Sequence, residues 1–569
     1  MVTSAVLARR DGFWLMNDSG ITPSLPASVR IMSISELKWN IFQLVNLWEP
    51  TARKQTLLAL ALTCESFTGP ALDFLWRELD GLGPLIRCLP SSLWKLDKRE
   101  LEFQRAVTFD DWSIFCKYNH RVRSLRMRWS SYRVGTGIWD AFGCPPFSPP
   151  LLPNLTSLEW YAPSRAFPCI RSFVTQKLTT LNIDTYYPGF EYGPSFQSIL
   201  SCIPMLCPSV SHFELKSKSG SGDVSLALQC WSHLISVKPG KFSDAALLHL
   251  SNLPSLRELY LKLHSTPIAA DTQKLLQHPA FSALHKLDVT CESLAPLDAF
   301  FETLSISPEI LSLAISTIDG EDSALPASIS RISNACTYSA LKHLRIIMDS
   351  MNGDSNISIS AAVFQPLCAL RNLRKFELEV EGDVQLDDAT LLQLAKAWPL
   401  LEELVIRGEY EGPSNSQDTT SDAFVSLLQH CPHLTSIGIT LDWSAVDRRH
   451  ISPRIPYQGF AHKALSHADF GSSRIRHVTG VAGFISAIAP KLEGIFGWDY
   501  DNHHNHEDYD MYSARWNAVH RLVKAFRMVR EQERGMMLSA GENVVSDVSG
   551  GEESEEYSGG EDELYGLDF

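Results

Sequence analysis

The feature that most constrains the fold is a short phrase that returns throughout the chain. It reads "PNLTSLEW" from residue 153, "PSLRELYLKL" from 254 and "RNLRKFELEV" from 371. Each copy places its apolar residues in the order apolar-x-x-apolar-x-apolar, and its second half alternates apolar with polar positions. This alternation predicts a short strand with one buried face.

The copies recur at intervals that leave room for one strand and one helix each. The first apolar residues of successive copies are 28, 26, 31, 32, 28 and 33 residues apart, at Leu256, Leu284, Ile310, Leu341, Leu373, Leu401 and Leu434. The copy at Ile310 begins at residue 308 and is one of the weaker ones, as are further copies that begin at 120, 176 and 208. Helical segments with acidic starts begin at Ser243, Leu386 and Ser421. A strand–helix pair of about 30 residues cannot bury its own apolar face, so the copies must stack. The expected fold class is α/β, with parallel strands on an inner, concave surface and helices outside.

The phrase resembles the leucine-rich repeat. This resemblance implies an irregular leucine-rich-repeat solenoid, or horseshoe, over residues 81–500. Recognition by such a solenoid is expected on the exposed strand positions that lie between the buried ones. The candidate substrate-binding residues of the concave surface are Tyr260, Lys262, Asp288, Arg345, Glu377, Glu379 and Arg407. Their charges are mixed in sign, so they select neither an acidic nor a basic partner.

A different pattern precedes the repeats. Residues 31–80 predict three short helices: Glu36 to Leu47, Ala52 to Phe67, and a third that begins after Gly69-Pro70. In the second helix, Leu58, Leu62 and Phe67 are expected to face inward.

This segment resembles an F-box. "ISEL" at 34–37 stands where that family opens, with Ser35 in place of the usual Pro. "IF" at 41–42, "LTCESF" at 62–67 and "LDFLWREL" at 72–79 match its later landmarks. The resemblance implies binding to the adaptor subunit of an SCF-type cullin–RING ubiquitin ligase, and through it to a cullin. The adaptor-binding positions that carry over are Ile34, Ser35, Glu36, Leu37, Ile41, Phe42, Thr63 and Cys64.

Charge is concentrated at the end of the chain. Residues 542–569 hold ten Asp or Glu and no Lys or Arg, out of a net charge of −15 for the whole chain. The rest is only mildly acidic and has no basic stripe, which argues against a nucleic-acid partner. Because residues 535–569 are also poor in apolar side chains, they are expected to form a disordered acidic tail, with Ser546, Ser549, Ser554 and Ser558 as possible phosphorylation sites beside acids.

The composition favours an intracellular protein. The twelve cysteines include no C-x-x-C pair, which indicates reduced thiols rather than a disulfide framework or a zinc site. No apolar run reaches the ~18 residues of a membrane span, and no signal peptide is evident. We expect a cytoplasmic or nuclear protein with no membrane partner.

One cluster could carry chemistry. His503, His504 and His506 stand beside Glu507 and Asp508, which are ligands that zinc or nickel accepts. Their spacing lacks the i, i+4 pair of a helical site, so a polar loop before a C-terminal helix from Tyr509 to Arg530 is the preferred interpretation. No cofactor and no metal are therefore expected, and the protein is expected not to be an enzyme.

The predicted organisation has five parts: a flexible segment (1–30), an F-box-like domain (31–80), the solenoid (81–500), a loop and C-terminal helix (501–534), and the tail (535–569). Two polar insertions, 409–422 and 443–474, interrupt the repeats, and the second precedes a final strand–helix–strand unit at 475–498. The preferred function is a substrate-recognition subunit of an SCF-type ligase with an unknown protein substrate. The alternatives are a repeat scaffold never associated with a ligase, whose N-terminal helices merely cap the solenoid, and, more remotely, a metal-dependent enzyme.

Overall fold

The computed structural model divides the chain into two compact units, Met1–Glu191 and Tyr192–Phe569. The described residues are 34–127, 133–217, 223–263, 268–276, 280–302, 304–316, 324–337, 339–349, 357–408, 419–452, 456–498 and 508–546. The expected flexible start and the expected tail beyond Ser546 lie outside these ranges. So do the insertion residues 409–418 and the histidines at 503–506.

The first unit begins with three helices and continues into a parallel sheet. Its elements are α1 (Ser35–Asn46), α2 (Pro50–Thr63), α3 (Glu65–Arg77), β1 (Glu78–Leu79), α4 (Gly83–Arg87), β2 (Trp94–Asp97), β3 (Glu100–Phe103), α5 (Phe109–Asn119), β4 (Ser124–Arg126), β5 (Arg133–Val134), α6 (Thr136–Gly143), β6 (Ser157–Tyr161), a 3-10 helix (Ser164–Ser172) and β7 (Thr180–Asp184). Strands β1, β4, β6 and β7 are neighbours in that order, and β2, β3 and β5 form a small separate sheet.

The first three helices enclose a small core. Phe42, Val45, Leu57, Ala71 and Phe74 form it, with Leu60, Ala61, Phe67 and Leu75 packed around them. Their boundaries differ from the prediction, because α2 ends at Thr63 and α3 already begins at Glu65. Cys64 between them is fully extended, with φ −157° and ψ 158°, and so separates the two helices.

Helix α3 contains Gly69-Pro70 instead of beginning after it. Proline has no N–H, so Pro70 leaves the carbonyl of Ser66, four residues earlier, without its helical donor. The ammonium of Lys38 on α1 donates to that carbonyl at 3.2 Å. A side chain from the neighbouring helix therefore replaces the missing bond, and α3 passes through the proline.

The second unit is built around the repeats. Its elements are α7 (Pro194–Leu206), β8 (His212–Lys216), α8 (Ser225–Cys230), β9 (Ser236–Lys238), α9 (Asp244–Ser251), β10 (Glu258–Leu263), α10 (Ala270–Leu275), β11 (Lys286–Cys291), α11 (Leu294–Phe301), β12 (Ile310–Ile315), α12 (Leu325–Ala335), β13 (His343–Met348), β14 (Ile357–Ile359), two 3-10 turns (Ala361–Val363 and Pro366–Ala369), β15 (Lys375–Val380), β16 (Gly382–Val384), α13 (Asp388–Ala397), β17 (Glu403–Gly408), α14 (Ser421–His430), β18 (Ser436–Ile439), a 3-10 turn (Pro456–Gly459), β19 (His467–Asp469), α15 (Val478–Ile488), β20 (Gly494–Phe496) and α16 (Tyr509–Ser546).

Within the second unit the strands lie side by side in chain order. Of its described strands, β14 and β16 pair with each other, and the others follow one another from β8 to β20 in one sheet. Each recorded pairing in that sheet is parallel, as in Glu258↔Lys286 and Lys286↔Ile310. The chain is thus a mixed α/β protein with a large parallel sheet, which confirms that part of the predicted fold class.

Each quoted copy of the phrase forms a strand of the parallel sheets. In β10 the apolar positions Leu259, Leu261 and Leu263 are buried, whereas Tyr260 and Lys262 are more accessible. The predicted acidic helix starts also occur. Ser243 and Asp387 each accept a hydrogen bond from a backbone N–H of the first turn, whereas at α14 the cap is Thr420, one residue before the predicted start.

Two predictions near the end of the chain are wrong. The final unit was expected to open with a strand at 475, but the strand before α15 is β19, which lies inside the supposed insertion 443–474. The C-terminal helix does not stop at Arg530 but continues to Ser546. Residues 535–546, assigned from sequence to the disordered tail, are therefore helical.

Candidate interaction surfaces

The residues predicted to bind an adaptor divide between surface and core. Ile34 and Leu37 are exposed by 47% and 42%, and Ser35, Glu36, Thr63 and Cys64 are also exposed. Ile41 is half-buried. Phe42 is completely buried against Phe67 and Phe74, with ring centroids 5.9 and 6.4 Å away. The side chain of Phe42 therefore belongs to the core of the three helices and not to their surface.

Helices α1 and α2 and the turn between them expose several large apolar side chains. On α1 and the turn after it, Leu44, Leu47 and Trp48 are exposed in addition to Leu37. On α2, Leu58 and Leu62 stand one turn apart, and Leu62 is exposed by 72%. We call these side chains the N-terminal apolar surface: Ile34, Leu37, Leu44, Leu47, Trp48, Leu58 and Leu62.

The inward prediction for Leu58 and Leu62 is wrong by one helical position. Leu57 is buried instead, and Ala61, four residues later, packs beside it. Residues 57–62 are apolar without interruption, so their pattern permits either face to turn inward. Packing against α3, where the Thr68 hydroxyl donates to the Ala61 carbonyl at 2.8 Å, decides between the two.

The three helices are joined firmly to the first sheet. The Arg121 guanidinium, which precedes β4, donates to the Gly69 carbonyl at 3.1 Å and also pairs with Asp73. Trp76 of α3 stacks on Tyr118 of α5 at 4.7 Å between ring centroids. Strand β1 follows α3 without a linker and pairs with β4. The N-terminal apolar surface is therefore held in a fixed position relative to the sheet of its own unit.

The seven predicted substrate-binding residues share one face of the second unit's sheet. Tyr260, Asp288, Arg345 and Glu377 fall on one register row, and Lys262, Glu379 and Arg407 fall on the next. We call this the polar face of the sheet, because its side chains alternate with the buried ones. Its charges balance, with basic residues Lys216, Lys238, Lys262, Lys286, Arg345, Lys375 and Arg407 against acidic residues Glu214, Glu258, Asp288, Glu377, Glu379, Glu403 and Asp469.

Several of these charges pair with one another across strands. Arg345 Nε lies 2.8 Å from Glu377 Oε2, and Arg345 Nη2 lies 3.2 Å from Glu379 Oε2. Arg407 Nη1 is 3.9 Å from Glu379 Oε1, and its Nη2 is 2.5 Å from Asp469 Oδ2. Gly438 lies on the intervening strand β18, in register with Val405, so no side chain stands between Arg407 and Asp469 at that position. A chain of ion pairs thus joins β13 to β19.

Tyr260 occupies a second cluster on this face. The ammonium groups of Lys238 and Lys286, from the strands on either side, lie 5.5 and 4.9 Å from its ring centroid. Lys286 also donates to the Tyr260 hydroxyl at 3.1 Å, and this hydrogen bond raises the lysine pKa. Burial raises the pKa of Asp288 and of Glu377. Partners for most of the predicted residues therefore come from the protein itself.

The sheet of the first unit has a polar face of different character. Strand β6 presents Glu159 and Tyr161, and β7 presents Asp184, which pairs with Tyr161 in register. The rings of Tyr161 and Tyr187 lie 5.3 Å apart at 50°. Burial, together with the nearby Asp184, raises the pKa of Tyr161. The sequence analysis did not single out these tyrosines, although Tyr161 continues the alternation of the phrase copy that begins at residue 153.

The remaining candidates contribute little. His503, His504 and His506 lie outside the described residues, and within those ranges no cluster of three or more His, Cys, Asp or Glu side chains could hold a metal ion. No helix of the described part is both long enough and apolar enough to cross a membrane.

No protein-family model matches the chain, and no curated protein matches it either. Among solved structures, the chain is similar to the complex of Rad7 and Elc1 from yeast, with 14% identity over 58% of this chain and 78% of that one and a TM-score of 0.29. It is similar to the leucine-rich repeat-containing protein LegL7 from Legionella pneumophila, with 14% identity over 69% and 96% and a TM-score of 0.25. The Toll–Spatzle complex of Drosophila gives 14% identity over 66% and 50% and a TM-score of 0.29. Function is therefore inferred from the chain's own surfaces.

Proposed function

We propose that this protein is the substrate-recognition subunit of an SCF-type cullin–RING ubiquitin ligase. In this proposal the three N-terminal helices form an F-box that binds the adaptor, and a leucine-rich-repeat solenoid binds the target protein. The observation that carries the proposal is the N-terminal apolar surface, which coincides with the segment whose residues resemble an F-box.

An apolar surface of this kind calls for a partner. Single exposed leucines are ordinary, but several large apolar side chains exposed within one short segment favour an interaction site. Here the leucines and tryptophan of α1 and α2 fall within fewer than thirty residues, on helices whose own core is already filled by Phe42, Leu57 and Phe74. These outward side chains have no further role in the three-helix core, which favours docking of another protein.

The proposed role requires binding and positioning but no chemistry by this chain. A receptor subunit raises the rate of ubiquitin transfer by holding the target lysine near the transfer machinery, which is a proximity effect. Such an effect needs a stiff connection between the two binding surfaces. The contacts of Arg121 with Gly69 and Asp73, and of Trp76 with Tyr118, fix the helices to the sheet of their own unit, which is the adaptor end of such a connection.

The test is adaptor binding by purified full-length protein and two variants, Leu37→Asp and Leu62→Asp. Each variant places a carboxylate in the apolar surface without touching the core, because both leucines are exposed. We expect each to weaken adaptor binding by at least about 30-fold, the size of an interface hot spot of about 2 kcal/mol. Surface plasmon resonance with immobilised adaptor measures this directly.

The matched control is Leu226→Asp on α8, where an equally apolar side chain is exposed by 62% in the other unit. It should bind the adaptor like the unchanged protein. If the unchanged protein shows no adaptor binding, the ligase role is wrong and the chain is a repeat scaffold. If all three variants lose binding equally, the loss reflects general damage, and the apolar surface is not the contact.

A further inference from the structure

A group of basic side chains lies beside helix α15 of the second unit. The Arg448 carbonyl accepts the Gly480 N–H of that helix at 3.0 Å. The Asp447 carboxylate accepts the backbone N–H of Arg476, just before the helix, at 2.7 Å. These two bonds hold the basic residues of two chain segments next to each other. We call the exposed ones the basic patch: Arg448, Arg449, His450 and Arg476.

The carboxylates closest to this patch in the chain are already engaged. Asp447 is the only acidic residue in 446–452 and 474–488, and its carboxylate accepts two backbone N–H groups. Asp422 of α14 accepts the hydroxyl of Tyr457, which belongs to the same connecting segment. No recorded ion pair between described residues includes a side chain of the patch. The patch therefore presents positive charge to solvent, which favours an anionic partner.

Two further guanidinium groups adjoin the patch at a tyrosine ring of α16. The guanidinium carbons of Arg474 and Arg515 lie 5.9 and 5.3 Å from the ring centroid of Tyr512. Arg515 also donates to the Ile475 carbonyl at 2.7 Å. Positive charge thus continues from the patch onto the start of α16, where Asp510 in the first turn offsets part of it.

The chain itself contains a segment of the opposite charge. Residues 547–569 hold nine Asp or Glu and no Lys, Arg or His. They follow α16, whose Arg515 contacts Ile475 at the start of α15 and whose Arg530 donates to the Ser486 carbonyl near its end, at 2.6 Å. Helix α16 therefore runs parallel to α15, and its C-terminal end points away from the patch. The acidic segment must turn back to meet the patch.

Chain length decides which acidic residues can do so. From Arg515, which marks the level of the patch, to its last residue, α16 is roughly 47 Å long at 1.5 Å per residue. Extended chain covers about 3.3 Å per residue, so residues 547–563 span about 56 Å, whereas residues 547–553 span only about 23 Å. The acidic residues at 561–563 can therefore reach the patch, and those at 552 and 553 fall short of it.

We infer that the basic patch binds the acidic residues 561–563 of the same chain. This segment covers the patch as an internal ligand, which an acidic peptide of another protein must displace. Exposed ion pairs are individually weak, but the tether keeps the segment near the patch at an effective concentration on the order of millimolar. The exposed pair Arg521 and Lys524 on α16 is a weaker site, because it carries two charges where the patch carries three guanidinium groups and a histidine.

The experiment measures binding of a labelled peptide with the sequence of residues 557–569 to full-length proteins by fluorescence anisotropy. In the unchanged protein, the tethered segment competes with this probe. Glu561→Gln/Glu563→Gln weakens the competitor and should therefore tighten binding of the probe roughly threefold to tenfold. The matched variant Glu552→Gln/Glu553→Gln removes the same charge from residues that do not reach the patch, and it should bind the probe like the unchanged protein.

The patch is tested in the Glu561→Gln/Glu563→Gln background. Adding Arg448→Gln/Arg449→Gln should weaken probe binding roughly threefold to tenfold, and binding before that change should fall as salt rises. Both side chains are exposed and the bond to Gly480 comes from the backbone, so the fold should be kept, which circular dichroism checks. Arg257→Gln/Arg371→Gln, at two exposed arginines elsewhere in the second unit, is the matched control and should leave probe binding unchanged.

Three results would overturn the inference. The first is that Glu561→Gln/Glu563→Gln binds the probe no more tightly than Glu552→Gln/Glu553→Gln, because the segment would then not occupy the patch. The second is that Arg521→Gln/Lys524→Gln, and not the patch variant, removes binding. The third is that none of the proteins binds the probe. The inference needs neither adaptor nor target, so its failure leaves the proposed function standing.

Discussion

At the scale of single residues, Asp111 shows how one carboxylate can organise a helix start. Its Oδ2 accepts the backbone N–H and the hydroxyl of Thr108, both at 2.8 Å, while the Thr108 hydroxyl accepts the Asp111 N–H in return. The Arg105 guanidinium donates a hydrogen bond to each of the two carboxylate oxygens, at 2.6 and 3.0 Å. Arg105 and Thr108 together hold the pKa of Asp111 well below its ordinary value of 3.8. The capping box of α5 is thus joined to an ion pair.

Replacing this carboxylate should destabilise the first unit. We expect Asp111→Ala to lower the free energy of unfolding by about 2 kcal/mol, since it removes a cap and leaves Arg105 without its partner. A folded pKa below the unfolded one gives stability that is present above pH 3.8 and is lost as pH falls. In urea titrations, the difference in unfolding free energy between the unchanged protein and Asp111→Ala should therefore shrink as the pH falls below about 4. Asp110→Ala, at the exposed neighbouring position, should change stability by less than about 0.5 kcal/mol; a constant gap down to pH 2 would contradict the role of the charge.

At the scale of elements, two glycines let a connecting segment lie directly on helix α15. Gly480 donates its N–H to the Arg448 carbonyl at 3.0 Å, and a Cβ at Gly480 would lie 2.4 Å from that same oxygen. A Cβ at Gly483 would lie 2.9 Å from Ile451. The Asp447 carboxylate accepts the backbone N–H groups of Arg476 and His477 just before the helix. Residues 446–451, which precede β19, therefore pack directly against helix α15.

In Gly480→Ala, the higher helix propensity of alanine and the loss of close packing have opposite effects on stability. Alanine gains about 1 kcal/mol over glycine inside a helix, but forcing backbone atoms apart costs about 1–3 kcal/mol. We expect a net loss of stability and faster proteolysis of residues 443–452. In Gly137→Ala on α6 the new Cβ meets nothing within 4 Å, so only the propensity gain should remain. Equal effects of the two substitutions in thermal unfolding would show that the contact of 446–448 with α15 is unimportant.

The repeat phrase predicted strands well because three buried apolar positions suffice to define one. It missed strands in which one of those positions holds a proline or a small residue. In β9, Leu234 and Val237 are followed by Pro239, and in β19, Ala468 takes a central position. Their remaining apolar positions are buried like those of the other strands. These strands therefore follow the same pattern of buried positions, but a proline or a small residue at one of those positions makes the pattern hard to recognise in the sequence.

The candidate surfaces were less predictable than the strands. The face that α2 turns inward depends on α3, because residues 57–62 are apolar on every side. The pairing of Arg407 with Asp469 joins residues 62 positions apart and spans the intervening strand β18. Such contacts follow from strand register, which a single strand's sequence does not reveal.

At the scale of the whole molecule, the twelve cysteines report on folding. All are free thiols; Cys64, Cys116, Cys144, Cys202 and Cys230 are exposed, and five others are buried. Burial raises the pKa of Cys169 to about 11 and the pKa values of Cys207, Cys336 and Cys431 to about 12. Only the thiolate reacts. These buried thiols are therefore protected both because a reagent cannot reach them and because they remain protonated.

We therefore expect an aromatic disulfide reagent at pH 8 to modify five thiols of the native protein quickly. The two half-buried thiols, Cys88 and Cys368, should follow slowly, and the remaining five should react only as the protein unfolds. Addition of 6 M guanidinium, a concentration that unfolds most proteins, should release all twelve at once. Rapid native modification of more than seven thiols would contradict the burial described for the sheet units.

The order of the strands has a consequence for how the chain is made. In each unit the large sheet adds its strands in the sequence in which they are synthesised, and most lie within about 35 residues of their predecessor. Each new strand that emerges from the ribosome can therefore pair with a strand that has already been synthesised, and few contacts of the sheet depend on residues made much later. Only at the end does α16 cover the last strand, with Trp516 and Val519 buried behind it. Until that helix has been synthesised, the β20 edge of the sheet is uncovered, and we expect this interval to be the one in which the nascent chain is most prone to aggregate.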